Sequence, residues 1–272
     1  MSERAGHSDP HAAVKRDVLV RYLDAWIAGA LRSHRRATYV ECGGFAADVF
    51  GVFEEFADRI EGHHLEVVLA GTAAAVGKPP AGVVVRTVAD LAELAVDGPM
   101  LAHVEDAAEA AGTLARGKAH EVLFTVSGRA HLPDLRPACT VTVELVADDG
   151  AAQLLVFATG DQRHLATFKN ELWAVDEFAG IRYRDPHDAE GALVDISLTP
   201  QLLPLRRVLL AELARRGRCT VADLQRHTLL ETIYRPADAI GALTSAATAG
   251  VITRDPAKGR LTPRTTVAVA RA

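Results

Sequence analysis

The sequence predicts an α/β fold, a mostly parallel sheet flanked by helices and carrying one antiparallel hairpin, followed by a C-terminal winged-helix-like domain. Three observations lead there. Short β-type runs alternate with helical segments between residues 38 and 126, the pattern of parallel strands joined by crossover helices. Two β-rich runs meet across Asp148-Asp149-Gly150, a hairpin signal. The last 70 residues then turn to three helical segments and a short hairpin, the order of a winged helix.

Taking the elements in order, Val14, Val18, Tyr22, Leu23, Trp26, Ile27 and Leu31 recur at three- and four-residue steps. That spacing makes His11 to Arg35 one amphipathic helix. Thr38 to Cys42 reads as a strand, followed by Gly43-Gly44 and a helix over Ala46 to Ile60. Leu65 to Ala70 and Val83 to Arg86 are further buried strands, and Thr87-Val-Ala-Asp90 reads as a capping box opening a helix over Leu91 to Val96. Met100 to Val104 and Glu121 to Val126 are strands separated by an Ala-rich helix, Ala107 to Arg116. Cys139 to Val146 and Gln153 to Thr159 form the hairpin, and His164 to Val175 a helix. Residues 178–201, with Gly180, Pro186, Gly191 and Pro200, read as a linker.

In the C-terminal part, Leu203 to Arg216 is a helix, and Thr220-Val-Ala-Asp223 a capping box for a short second helix. Pro236 to Ala249 is a third, begun by proline and stopped by Gly250. Val251 to Arg254 and Arg260 to Thr262 are expected as the strands of the wing. The expected division is therefore residues 1–37 as an N-terminal helix, 38–180 as a Rossmann-like α/β domain, 181–201 as a linker, and 202–272 as the winged-helix-like domain.

Composition is that of a globular chain, with 49% hydrophobic, 24% charged and 5% aromatic residues. The net charge of −5 hides an asymmetry. From Gln201 onward 12 basic residues face 5 acidic ones, a net +7, while residues 1–200 carry −12. A basic tail on an acidic body is a reason to consider a polyanion partner for the tail, or docking of the tail on the acidic body or a partner protein. The longest apolar stretch, Leu65 to Gly77, contains Glu66 and falls short of the roughly 20 residues that cross a bilayer. With a polar N-terminus, the expectation is a cytoplasmic protein without a membrane partner. Cys42, Cys139 and Cys219 are too scattered for a disulfide framework or a zinc site, and the 11 histidines lack metal-ligand spacing. No metal is expected. Neither a nucleophile elbow nor a P-loop is present, which leaves serine hydrolase and P-loop chemistry without support.

Several strings resemble the three-Cys-motif partner family. They are Lys15-Arg-Asp-Val-Leu-Val-Arg-Tyr-Leu-Asp-Ala-Trp26, Leu154-Leu-Val-Phe-Ala-Thr159, Phe168-Lys169 with Leu172-Trp173-Ala-Val-Asp176, Thr232-x-Tyr234, and Gly250-Val-Ile252. The similarity is scattered over most of the chain and covers about half its positions. The resemblance implies a class I methyltransferase-like fold, S-adenosylmethionine as cofactor, and a separate iron–sulfur protein with a three-cysteine motif as partner. Two strings depart from the family. Its glycine-rich turn after the first strand stands here as Glu41-Cys-Gly-Gly-Phe-Ala-Ala-Asp48, and its Asp-Pro-Phe-Gly as Val104-Glu-Asp-Ala107.

The candidate site follows from where an α/β sheet binds ligands, at the carboxyl ends of its strands. Gly43 and Gly44 allow a sharp turn with no Cβ between backbone and ligand, and Glu41 stands near the ligand's polar end. These three are the cofactor-binding candidates, set against a vestigial turn on an inherited scaffold. Glu105 and Asp106, after the fourth strand, are catalytic candidates as general base or amine ligand, set against a solvated helix start. The second strand ends in Leu69-Ala70-Gly71 without the carboxylate that would hold ribose hydroxyls. In the tail, the third helix has no Lys or Arg, and the charge falls on the first helix and the wing. Arg254, Lys258 and Arg260 are the candidates for contacting nucleic acid or a partner protein. The functional expectation is a methyltransferase-like protein working beside another enzyme. The alternative is a non-enzymatic adaptor that binds nucleic acid or protein through its tail.

Overall fold

The computed structural model describes residues 9–71, 77–91, 94–117, 119–127, 132–135, 138–176 and 180–270. Helix α1 (Pro10–Ser33) starts where Asp9 accepts a hydrogen bond from the His11 amide, with Pro10 in the first turn. Its apolar stripe, from Val14 to Leu31, is buried against the sheet and helices α2 (Ala46–Glu55) and α5 (Gln162–Leu172).

Among the described residues, nine strands form the main sheet: β1 (Arg36–Cys42), β2 (His64–Ala70), β3 (Val83–Val88), β4 (Met100–Glu105), β5 (His120–Ser127), β6 (Cys139–Ala147), β7 (Ala152–Thr159), β8 (Ile181–Arg184) and β9 (Leu193–Asp195). Their order is β3-β2-β1-β4-β5-β7-β6-β8-β9. The first five pair in parallel, and β7 lies antiparallel between β5 and β6. The result is a Rossmann-like α/β sheet. β1 sits between β2 and β4, so the chain order reverses there, and the carboxyl ends of β1 and β4 open side by side. Both sheet faces are covered. Tyr39, Leu101, Leu123 and Phe157 face α1, α2 and α5, while Val40, Ala102, Val122 and Phe124 face α4 (Ala108–Leu114).

Several sequence expectations need correction. Thr87 and Val88 do not cap a helix; they finish β3, their backbone taken by pairing with Leu69 and Ala70. Residues 94–97 are not helical, and 92–93 lie outside the described residues. The helix after Gly44 breaks at Phe56, leaving one short turn, α3 (Ala57–Ile60). Residues 181–201 are not a plain linker. Ile181, Tyr183 and Val194 are buried at alternating positions, and β8 and β9 extend the sheet beyond β6.

The C-terminal part holds α6 (Leu203–Arg216), β10 (Cys219–Thr220), α7 (Val221–Glu231), α8 (Asp238–Thr248), β11 (Ile252–Asp255) and β12 (Thr266–Val269). The Thr220–Asp223 capping box forms in both directions. The strand expected at Arg260 to Thr262 is absent, and β11 pairs instead with Thr266–Val269. Pro263 has no amide for a ladder, and Thr262 and Thr265 turn the chain, the Thr265 amide donating to Thr262 O at 2.9 Å.

One apolar cluster runs from the α1 face into α6, α7 and α8. Trp173, fully buried, stacks on Tyr234 with centroids 5.4 Å apart and donates Nε1–H to Ile233 O at 3.0 Å. Lys169, also fully buried, donates to the carbonyls of Thr228 at 3.1 Å, Leu229 at 2.6 Å, and Thr232. Its three N–H groups thus meet three carbonyls at the unsatisfied end of α7. Burial pushes the ammonium down to about 7 against the pull of Asp185, Glu231 and Asp238.

Candidate functional site

Strand alternation places Tyr39 and Glu41 of β1, and His103 and Glu105 of β4, on the face covered by α1. The Glu41 side chain is fully buried, which requires compensating partners. It has three. Tyr39 donates its hydroxyl to Oε2 at 2.5 Å, the Phe45 amide donates to Oε1 at 3.4 Å, and His103 Nδ1 stands 2.9 Å from Oε1. Burial, reinforced by the Glu41 charge, pushes the Tyr39 phenol well above its ordinary range.

A carboxylate only accepts, so this contact places the His103 proton on Nδ1. The opposite nitrogen, Nε2, is buried and has no protein partner among the described residues. Thr125 Oγ1 is in the same condition. Thr125 pairs with Glu105 across β4 and β5, on the same face as His103. Two buried polar atoms left over at one sheet edge are a departure from the rule that such groups are bonded.

Gly43 closes the arrangement. A Cβ there would stand 2.8 Å from His103 Cε1, 2.9 Å from Glu41 Oε1 and 3.0 Å from Glu105 Cγ. Only glycine lets the backbone lie this close to the imidazole edge. Gly44 is different, since a Cβ there meets nothing within 4 Å and would point into open space.

Glu105 ends β4, and Lys15 of α1 brings Nζ to 2.6 Å from its Oε1. Asp106 follows with φ +50°, a left-handed conformation that a non-glycine residue adopts at a cost. Its carboxylate accepts from the Ser127 amide at 3.3 Å and hydroxyl at 3.0 Å, bracing the ends of β4 and β5. Burial, with the charges of Glu41 and Glu105, pushes the Cys42 thiol up, the opposite of what a thiolate nucleophile requires.

Of the residues singled out in the sequence, Glu41, Gly43 and Glu105 meet in one cluster, with Gly44 and Asp106 at its rim. Arg254, Lys258 and Arg260 lie in the C-terminal part. There Arg254 folds its own loop, donating to Ala257 O at 3.2 Å and to Gly259 O, while Lys258 and Arg260 are exposed. Sequence reading missed Lys15, Tyr39, His103 and Thr125. Tyr39-x-Glu41 and His103-x-Glu105 carried the period-two signal, but only the register aligns the two pairs.

Among the described residues, no group of three or more His, Cys, Asp or Glu side chains is arranged to hold a metal ion, and no helix is long and apolar enough to cross a membrane. No protein-family model matches this chain, and no curated protein is significantly similar to it.

Proposed function

We propose that the chain is a methyltransferase-like protein that binds an adenosine-containing cofactor of the S-adenosylmethionine type over the Gly43–Gly44 turn, and that it works beside a partner enzyme. The observation that carries this reading is the turn itself. It stands at the switch point between β1 and β4, has no Cβ on the His103 side, and has open space beyond Gly44. The order β3-β2-β1-β4-β5 continued by an antiparallel β7 is the arrangement expected of a class I methyltransferase-like sheet. The residues fit the cofactor at this turn, where Gly43 and Gly44 would receive it and Glu41 would hold the turn through the Phe45 amide. The fit does not extend to β2, which ends at Ala70 without a carboxylate for the ribose. The resemblance to the three-Cys-motif partner family supplies the partner, an iron–sulfur protein.

Isothermal titration with S-adenosylmethionine tests the reading, with Gly44→Trp as the blocked variant. Micromolar binding lost in the variant supports it; no binding by the wild-type chain overturns the cofactor part.

A second reading is favoured by the charge distribution. With its helices and three-stranded sheet read as a winged helix, the C-terminal part exposes Lys258 and Arg260 on the β11–β12 connection, on a tail of net +7. The chain then acts as an adaptor that grips a phosphate backbone or docks an acidic protein. Because Arg254 is committed to its own loop, Lys258→Ala with Arg260→Ala is the better test. Salt-sensitive binding of short DNA or RNA that weakens in this variant supports the adaptor; unchanged binding removes the wing from it.

A further inference from the structure

At the opposite, amino edge of the sheet, α1, the start of β5 and the start of α5 enclose a cavity of about 470 Å³. The carboxylate of Glu121, only 4% exposed, is the fixed point of its wall. Tyr22 donates its hydroxyl to Oε2, and His164 Nδ1 lies 2.8 Å from Oε1. With Nδ1 committed to the carboxylate, the half-exposed His164 ring has Nε2 left for whatever enters. The bond to Glu121 raises the His164 pKa, favouring the imidazolium form, a hydrogen-bond donor at Nε2.

The other charges around the cavity sort by whether they are already engaged. Asp161 caps the Arg163 amide at 2.8 Å and pairs with the Arg163 guanidinium at 2.7 Å, bonds that hold its carboxyl at about 2. Glu121 is taken by Tyr22 and His164. Arg32 spends Nε on Ala28 O at 2.8 Å, and no described residue takes its terminal nitrogens. His164 and Arg32 therefore keep donors available at the wall, with Ser33, His34 and Arg163 at its exposed rim, while the carboxylates are satisfied. Ala25, Trp26 and Pro99 supply apolar wall beside them.

We propose that this cavity is a second ligand site, separate from the Glu41–Gly44 edge, taking a small organic oxyanion, a carboxylate or a phosphate ester, on His164 Nε2 and Arg32. The buried Glu121 and Tyr22 act as positioning residues that fix the ring. The site does not depend on the cofactor reading given above.

The test follows the His164 ring signals by NMR during titration of the full chain with inorganic phosphate and, separately, benzoate, at neutral pH and constant ionic strength. A saturable shift with at least one probe is expected. Saturation by phosphate alone assigns a phosphate ester, and by benzoate alone an organic carboxylate. His164→Gln should weaken the binding by about tenfold or more in calorimetry, as loss of a charge-assisted hydrogen bond implies. Gly29→Leu should abolish it while leaving the His164–Glu121 pair intact, because the added side chain meets no atom within 4 Å at its base and lies on the cavity wall. Ala25→Leu, filling the same space from one turn earlier, should give the same loss. Unsaturated, linear shifts with both probes, or binding that survives both plugged variants, overturns the proposal.

Discussion

Lys15 on the first helix and Glu105 at the end of β4 are joined by an ion pair of 2.6 Å that ties α1 to the carboxyl edge of the sheet. The lysine side chain is 8% exposed and the glutamate 28%, so the pair is only partly shielded from water. Lys15→Met leaves a half-buried carboxylate without its counterion and should cost about 1–3 kcal/mol, below the range for a fully buried pair. Adding Glu105→Leu should recover more than half of that loss in urea unfolding. Additive losses would show that the two side chains act independently.

Gly43 and Gly44 should behave oppositely although they are neighbours. Gly43→Ala puts a methyl group 2.8 Å from His103 and 2.9 Å from the Glu41 carboxylate, and should destabilise by about 1–3 kcal/mol. Gly44→Ala enters open space and should change stability by less than about 0.5 kcal/mol. Thermal unfolding of the two variants decides this; equal effects would contradict the placement of the turn.

Lys169 holds the C-terminal helices to α5 through three carbonyls of the α7 end. Lys169→Met keeps the volume but leaves those carbonyls without donors, and should cost about 1–3 kcal/mol, the loss growing as pH rises above about 7 because the wild type then sheds the penalty of its buried ammonium. Denaturation of the variant followed through Trp173 should show the loss. A stability equal to wild type would mean the carbonyls find water instead.

Stability should also depend on pH through His164. Its pKa is raised, chiefly by the hydrogen bond to Glu121, so the folded chain binds the proton more tightly than the unfolded one. The stabilisation is fully present below the ordinary histidine value of about 6.5 and is lost as pH rises through the raised value. With His164 half-exposed, the effect should stay under about 1 kcal/mol. The stability difference between wild type and His164→Gln should therefore shrink from acid to alkaline pH, and Glu121→Gln should bring the His164 pKa down in an NMR titration. A pH-independent difference would separate the two side chains.

How much of this was legible in the sequence differs by element. Strands β1, β2, β4, β5, β6 and β7 stand out because their apolar runs are bounded by turn residues, and the β6–β7 hairpin because Asp149-Gly150 marks it. β8 and β9 are short, set among Gly and Pro, and form only because β8 pairs with β6 and β9 with β8. The second strand of the C-terminal hairpin was misplaced to Arg260–Thr262 because its position after the Asp255–Gly259 turn pointed there, whereas Pro263 forbids a ladder and the pairing moves on to Thr266. Glu41, Gly43 and Glu105 were found from their positions after strands. His103 and Lys15 were not, since they lie 62 and 26 residues from Glu41 and look in isolation like an ordinary strand histidine and helix lysine.

The sequence by itself determined the local periodicities, the Thr220–Asp223 cap and the glycine turn, because these depend on residues within a few positions of each other. The tertiary structure alone decided that β4 lies beside β1, which sets His103 against Glu41 and brings Lys15 down from α1 onto Glu105. The reason is physical. Burying a carboxylate demands partners within about 3 Å, and those partners come from whichever strand and helix the packing of the core brings to that edge.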